Sequence, residues 1–280
     1  MFRRQVRLHY CGGEMTQTAM PEQTQRSAPQ SWLSRLGWPL SREFALLIGG
    51  LAAYRFARLI AKDEFEQAFA NSRRVVNWEQ AIGIFNEVDL QANILTSDAS
   101  IWLLNRYYFF AHFLGTFIWV VWLFTRHYEC YGRVRRVLFG TTFGALIVHM
   151  MFPLAPPRWF PDLGFVDTLQ TYGPKIYDSE TITNTANQIA AMPSLHVGWA
   201  LIGAWGIIKA SESKWRWIAA AHPAVMTLAV VLTANHWWLD AAGAALLVGA
   251  IIAIDAPIQR WLENRRPHEP VATLSVTRTE

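Results

Sequence analysis

Six stretches of this chain are apolar enough to cross a lipid bilayer as helices, and they constrain its fold more than any other feature. A bilayer core needs about 20 predominantly apolar residues per helix, within a range of about 17–25. The stretches that qualify are 43–62, 102–125, 137–153, 193–210, 215–234 and 236–257. The sequence therefore predicts an all-α, polytopic membrane protein with six transmembrane helices.

The composition agrees with a membrane protein. Hydrophobic residues make up 52% of the chain and charged residues only 16%, and there are 14 tryptophans. An ordinary soluble domain has roughly 25% charged residues. This composition excludes a disordered, a collagen-like or a disulfide-rich secreted protein, and dense tryptophan is typical of a membrane–water interface.

The distribution of basic residues predicts the orientation. Seventeen lysines and arginines lie in the segments on one side and six in those on the other. The richer side comprises 1–43, 126–136, 209–216 and 258–280, and the poorer side 62–106 and 154–192. The positive-inside rule then places both termini in the cytoplasm, in a multi-pass protein of the cell membrane.

The segments around and within the six-helix domain 43–257 have different expected roles. Residues 1–42 and 258–280 are predicted to be cytoplasmic tails, the first of them disordered because it is rich in Gly, Pro, Gln, Ser and Thr. The outer segment 154–192 is long and contains four prolines. It is expected to act as a lid over a site, with a plain tether as the alternative.

The outer segment 64–100 has an amphipathic pattern. Apolar residues recur at helical spacing with polar residues opposite, which predicts an interfacial helix on the outer leaflet or, equally, a helix packed against the bundle. The apolar set is Trp78, Ile82, Phe85, Val88, Ala92 and Leu95, and the polar set is Glu79, Asn86, Glu87 and Gln91.

Four polar residues are predicted to lie at one depth on the outer face. Arg158 follows the third span, His196 begins the fourth, and His236 and Asp240 begin the sixth. Because successive spans alternate in direction, all four are expected at the same face although more than 80 residues separate the first from the last. Ionisable groups at such positions are costly, so their convergence indicates a functional site.

The spacing of these residues predicts metal-free phosphoryl transfer. His236 and Asp240 are four residues apart, so they share a helix face, and the carboxylate can orient the imidazole. An oriented neutral imidazole is a nucleophile, a second histidine such as His196 can protonate a leaving oxygen, and the guanidinium of Arg158 can hold phosphate oxygens.

Two other interpretations of these residues remain open. Each histidine can be structural, with His236 and Asp240 forming a self-satisfied buried pair. Two histidines and one aspartate can also form a facial metal triad. No HExxH motif or cysteine cluster is present, however, and Arg158 would repel a cation, so no metal and no cofactor is expected.

These residues resemble the motifs of the type 2 phosphatidic acid phosphatase superfamily, membrane relatives of the vanadium haloperoxidases. Pro193-Ser194-Leu195-His196 is similar to its second motif, and His236-x3-Asp240 is similar to its third. Pro156-Pro157-Arg158 resembles the first motif in the form found in the inositol phosphorylceramide synthase-like branch. The resemblance covers residues 40–257.

The resemblance implies specific roles. His236 would be the nucleophile that forms a phosphohistidine, and Asp240 would orient it. His196 would be the general acid and then the general base. Arg158 and the Ser194 hydroxyl would hold phosphate oxygens, and the family works without metal.

Two phosphate-binding cations of the family are missing from their usual positions. The third motif normally has an arginine where this chain has Val230, and the first normally has a lysine where it has Met151. Lys175 in the outer loop, or Arg55 and Arg58 in the first span, are candidate substitutes. The alternative for Arg55 and Arg58 is that they reach the lipid headgroups.

The predicted function is a membrane enzyme at the extracytoplasmic face that hydrolyses a phosphomonoester or pyrophosphate of a lipid, or transfers its phosphoryl headgroup to another alcohol. The missing cations keep open an alternative, a transporter or structural membrane protein with a degenerate site. Nucleic acid is not an expected partner because the basic residues flank the spans as topology signals do. The sequence identifies neither the lipid nor the oligomeric state.

Overall fold

The computed structural model describes residues 64–173 and 189–264, together with 41–43, 45–46, 48–50 and 52. Within these ranges the chain is helical without a β-strand, and a single isolated bridge joins Leu154 to Ala190. The helices are α1 (Phe65–Ala81), α2 (Glu87–Ile94), α3 (Asp98–Arg126), α4 (Tyr128–Met151), α5 (Thr168–Tyr172), α6 (Leu195–Ala210), α7 (Ala221–Leu232) and α8 (Trp238–Asn264). The all-α fold class is confirmed.

Three helical segments of the described chain are long and apolar enough to cross a membrane. They are Asp98–Arg126, Lys214–Leu232 and Trp238–Leu262, and the second consists of α7 with the 3₁₀ turn that precedes it. Helix α6 is also apolar but shorter. Four predicted stretches coincide with these helices, whereas the first, 43–62, lies mostly outside the described residues. The count of six spans and the orientation stay predictions.

Helix α4 is longer than the predicted third span, 137–153. It begins at Tyr128, so most of the arginines assigned to a connecting loop lie on the helix itself. Nε of Arg133 and Nε of Arg136 lie 3.1 and 2.7 Å from the carboxylate of Asp255 in α8. The charged arginines interrupt the apolar pattern, but the helix continues through them, and Asp255, which is distant in sequence, balances the charges of Arg133 and Arg136.

The structure shows which side chains of the outer segment 64–100 are buried and which are exposed. Trp78 and Ile82, assigned to the apolar face, are 50% and 63% exposed. Glu79, Glu87 and Gln91, assigned to the opposite face, are buried. Helices α1 and α2 therefore turn their polar side chains towards the rest of the protein, and the segment contains several helices rather than one.

The buried polar side chains of these outer helices bind the backbone of the segment that follows α4. The Ser72 hydroxyl donates to the Ala155 carbonyl at 2.9 Å. The Gln91 amide donates to the Val166 carbonyl and accepts from the Val166 N–H, both at 2.9 Å. Backbone groups buried away from water need such partners. The polar face is thus buried because its side chains form hydrogen bonds with the backbone of an irregular segment, and Arg158 lies in that segment.

Helix α6 is the centre of the bundle and packs closely on its neighbours. Its Ile202 shares an apolar cluster with Trp119 and Leu123 of α3, Val134 of α4 and Val248 of α8. Glycines on α6 permit this approach, as small residues do between membrane helices.

We expect Gly203→Ala to destabilise the protein. A Cβ at Gly203 would lie 2.7 Å from Nε1 of Trp119, so the rigid indole would have to move. The expected loss of unfolding free energy is about 1–3 kcal/mol, measured by thermal denaturation in detergent. Gly249→Ala is the matched control, because a Cβ there meets nothing within 4 Å. Equal melting temperatures for the two variants would contradict the close packing.

Candidate active site

The four predicted site residues come from three chain segments that meet at one end of the bundle. The Ser194 N–H, at the start of α6, donates to the Asp240 carbonyl at 3.1 Å. The Arg158 N–H, after α4, donates to the Ala234 carbonyl at 2.9 Å. These backbone bonds tie the end of α4 and the starts of α6 and α8 together, and they bring His196 close to His236.

The ring of His236 is oriented by two acceptors on one nitrogen. Its Nδ1 lies 2.9 Å from the Ala191 carbonyl oxygen and 3.2 Å from Oδ2 of Asp240. Since a carbonyl oxygen only accepts, Nδ1 carries the proton of the neutral ring and Nε2 keeps its lone pair. The same Oδ2 accepts from the Trp237 N–H at 2.9 Å, so the carboxylate is itself fixed. The result is an imidazole prepared to act as a nucleophile through Nε2.

The second histidine, His196, faces the first. The ring centroids of His196 and His236 are 5.7 Å apart, a separation at which both rings can contact one tetrahedral group. Tyr108 stacks on His196 at 4.3 Å, and the His112 ring lies 4.1 Å away. Both neighbours come from α3, at its π-helical turn Tyr107–Ala111 or directly after it. His196 is partly buried and held between aromatic rings.

The guanidinium of Arg158 is oriented from two sides. Its Nη1 donates to Oδ1 of Asn235 at 2.6 Å, and its Nε lies 3.6 Å from the Asp167 carboxylate. Asn235, the residue that it contacts, directly precedes His236. A guanidinium carries five N–H donors in a fork that matches phosphate oxygens. Arg158 is therefore placed to hold an anion near both histidines.

Asn235 is a further residue of the site, and the sequence pattern did not predict a role for it. It is 2% exposed, and besides contacting Arg158 it donates to the Thr233 hydroxyl at 2.8 Å. The one indication in the sequence is that Asn235 directly precedes His236. An amide buried at such a position needs hydrogen-bond partners. The partner that it orients lies 77 residues away in the chain, so the pattern alone does not identify the contact.

Ser194 is buried at the start of α6. Its Oγ accepts from the Val197 N–H at 3.4 Å and so caps the helix. The hydroxyl hydrogen remains a donor, because a serine hydroxyl both donates and accepts. Helix capping and the predicted contact with phosphate are thus compatible.

The two positions that lack the expected cations contribute no polar group. Met151, at the end of α4, is 79% exposed, and Val230 in α7 is fully buried in an apolar cluster. The candidate substitutes Lys175, Arg55 and Arg58 lie outside the described residues, so their roles stay predictions.

Two further histidines lie near the site. His149 is buried, and its Nε2 is 3.2 Å from the Pro193 carbonyl, as expected of a hydrogen-bonded packing residue. His112 stacks on Trp199 with ring centroids 4.9 Å apart, in addition to its contact with His196. Within the described ranges, no three or more His, Cys, Asp or Glu side chains are grouped to hold a metal ion.

A family model of the PAP2 superfamily matches residues 73–254 of this chain. The matched region is more than half of the 280 residues and contains Arg158, Ser194, His196, His236 and Asp240. The chain belongs to the PAP2 superfamily. No curated protein and no solved structure gives a match.

Membership of this superfamily supports a general activity. Its members are phosphatases and phosphotransferases, so the chain is a member of a group of phosphoryl-transfer enzymes. The resemblance to the superfamily is confirmed, whereas the synthase-like branch is not.

Proposed function

We propose that this protein is an integral-membrane lipid phosphate phosphatase or phosphotransferase that works without metal, through a phosphohistidine at the extracytoplasmic face. The geometry of His236 carries the proposal. Its Nδ1 is bound by the Ala191 carbonyl and by Asp240, which leaves the lone pair on Nε2, and its ring centroid is 5.7 Å from that of His196.

In the first half-reaction, Nε2 of His236 attacks the phosphorus of the lipid phosphate. The N–P bond forms as the P–O bond to the lipid alcohol breaks, and protonated His196 gives its proton to the departing oxygen. The positive charge on the His236 ring is stabilised by Asp240 through Nδ1–H. Arg158 and Ser194 bind the non-bridging oxygens and offset their charge.

In the second half-reaction, His196 acts as the base. It takes a proton from water or from an acceptor alcohol, whose oxygen attacks phosphorus while the N–P bond breaks. His236 is regenerated with its lone pair, and His196 is protonated for the next cycle. Water gives hydrolysis and an alcohol gives transfer of the headgroup. We favour hydrolysis, while Pro156-Pro157-Arg158, written as in the synthase-like branch, supports transfer.

The proposed location of the site follows from topology. His196 is the second residue of α6 and Asp240 the third of α8, and Arg158 follows the end of α4. In the six-span arrangement these helix ends all face away from the cytoplasm, as the excess of basic residues on the other side favours. A lipid headgroup would then reach the site from the outer leaflet. Residues 174–188 of the expected lid lie outside the described residues, so the lid stays a prediction.

We expect the purified protein to turn over lipid phosphates in the presence of EDTA. Phosphate release, or headgroup exchange when an acceptor alcohol is added, measures this activity. Orthovanadate is expected to inhibit it, because vanadate adopts the trigonal-bipyramidal geometry of the transferring phosphoryl group and transition-state analogues bind tightly.

The same assay separates the proposal from the alternative raised by the missing cations. A transporter or structural membrane protein with a degenerate site would show neither turnover nor protection by vanadate against thermal unfolding. Turnover that returned only on addition of a divalent metal would also contradict the proposed mechanism.

A further inference from the structure

Carboxyl groups bind three consecutive backbone N–H groups at the start of α8. The first N–H groups of a helix have no partner within the helix, so each needs an external acceptor. The pairs are Trp237 with Asp240 at 2.9 Å, Trp238 with Glu87 at 3.4 Å, and Leu239 with Glu79 at 2.8 Å. Helices α1, α2 and α8 each supply one of these carboxyl groups, and one of them is the group that orients His236.

Glu79 and Glu87 form a buried acidic pair. Both side chains are fully buried. Among the described residues, no lysine, arginine or histidine forms an ion pair with either of them. Two neighbouring carboxyl groups buried without a cation do not both ionise, because like charges and desolvation each oppose the second charge. The pair therefore holds one proton.

The hydrogen bonds assign that proton to Glu79. Both oxygens of Glu87 accept N–H groups, Oε1 from Trp238 and Oε2 from Asn86 at 2.9 Å. Glu79 accepts from Leu239 through Oε1, and its buried Oε2 has no hydrogen-bond partner. Burial, reinforced by the neighbouring Glu87, raises the pKa of Glu79 to about 9. Glu79 is thus the neutral acid of the pair.

The pair is connected to the catalytic unit through one helical turn. The titratable groups that act on Glu79 are Glu87 from α2 and Asp240 from α8. Ionisation of Glu79 would place a second negative charge beside Asp240 and weaken the packing of α1 and α2 on the turn that carries it. The orientation of His236 depends on that turn, because its Nδ1 bonds Asp240.

We propose that Glu79 and Glu87 act as a carboxyl pair with a single proton and position His236 by fixing the turn that contains Asp240. The inference rests on the proposed function of His236 and adds two positioning residues, on α1 and α2, that act through Asp240. The outer helices then help to position His236 as well as to stabilise the fold.

The activity test compares Glu79→Gln with Glu79→Ala. Glutamine reproduces the protonated acid, with an oxygen for the Leu239 N–H and an N–H directed at Glu87, so kcat near pH 7 should stay within about 2-fold of wild type. Alanine removes both contacts, and kcat should fall about 10- to 100-fold with KM little changed, as expected for a misplaced nucleophile. The decline of kcat above about pH 9 in wild type should be absent in Glu79→Gln. Equal losses in the two variants, or an unchanged alkaline decline in Glu79→Gln, would overturn the inference.

A stability test needs no turnover, so it separates this inference from the proposed function. The pKa of Glu79 is about 9 in the folded protein, against an ordinary value of 4.5. The folded state therefore becomes less stable as the pH rises from about 4.5 to about 9. The Tm of wild type should therefore fall relative to that of Glu79→Gln across this range. Glu66→Gln is the control, because Glu66 is exposed on the same helix, and its Tm should follow wild type. Parallel Tm profiles for wild type and Glu79→Gln would overturn the carboxyl pair.

Discussion

The His236→Ala variant is expected to lose turnover of lipid phosphates by about 10⁴-fold or more, the scale seen when a covalent nucleophile is removed. The reason is that Nε2 of His236 is the group proposed to form the covalent intermediate. His236 bonds Asp240 and the Ala191 carbonyl through Nδ1, so only Nε2 of this ring is oriented for attack. Phosphate release from a lipid phosphate, per mole of folded protein, measures the loss.

The intermediate itself provides a second measurement. Wild type quenched during turnover of a radiolabelled substrate should carry label in an acid-labile, base-stable bond, and His236→Ala should carry none. His127→Ala is the matched control, because His127 lies at the start of α4, at the other end of the bundle, and contacts Trp122. Full activity in His236→Ala, or label retained in it, would refute the assignment of the nucleophile.

The His196→Ala variant is expected to distinguish substrates by their leaving group. An alkyl alcohol is a poor leaving group and needs the proton of His196, so its release should slow about 10³-fold, within the range of general acid catalysis. A nitrophenolate leaves without protonation, so its release from p-nitrophenyl phosphate should slow by no more than about 10-fold. Steady turnover should still be slow for both substrates, because the same histidine activates the incoming water.

Rapid-mixing measurements with p-nitrophenyl phosphate test this prediction. His196→Ala should release one equivalent of nitrophenolate quickly and then turn over slowly. His222→Ala is a suitable control, because His222 pairs with the Tyr107 hydroxyl at 2.6 Å and has no part in the proposed chemistry. If the first release of the alkyl alcohol and the first release of nitrophenolate slow equally in His196→Ala, then His196 does not protonate the leaving group.

Local patterns were sufficient to predict most of the helices and the grouping of the site residues. Apolar runs indicated α3, α6, α7 and α8 because a run long enough for a bilayer has few alternative structures. The spacing of His236 and Asp240 predicted their contact, since residues four apart share a helix face. The alternating direction of the spans placed His196 and His236 at the same face, although it did not give the distance between their rings.

Contacts between distant segments could not be predicted in this way. The amphipathic pattern of 64–100 showed two faces, but apolar residues that contact lipid and apolar residues that contact protein have the same pattern. The burial of Glu79 and Glu87 depends on backbone N–H groups of α8 that need acceptors, and no local pattern reports that need. The contact of Arg158 with Asn235 likewise becomes visible only when α4 and α8 are placed together.

The wide turn Tyr107–Ala111 in α3 has a consequence for interpreting sequences of this kind. In an α-helix each residue advances about 100° around the axis, and a π-helical turn accommodates one extra residue. A helical wheel drawn continuously through Asp98–Arg126 would therefore rotate every position beyond the turn by about 100° relative to those before it. Deletion of one residue there would change the length and hydropathy of the span very little. Tyr108 and His112 would nevertheless no longer both face His196.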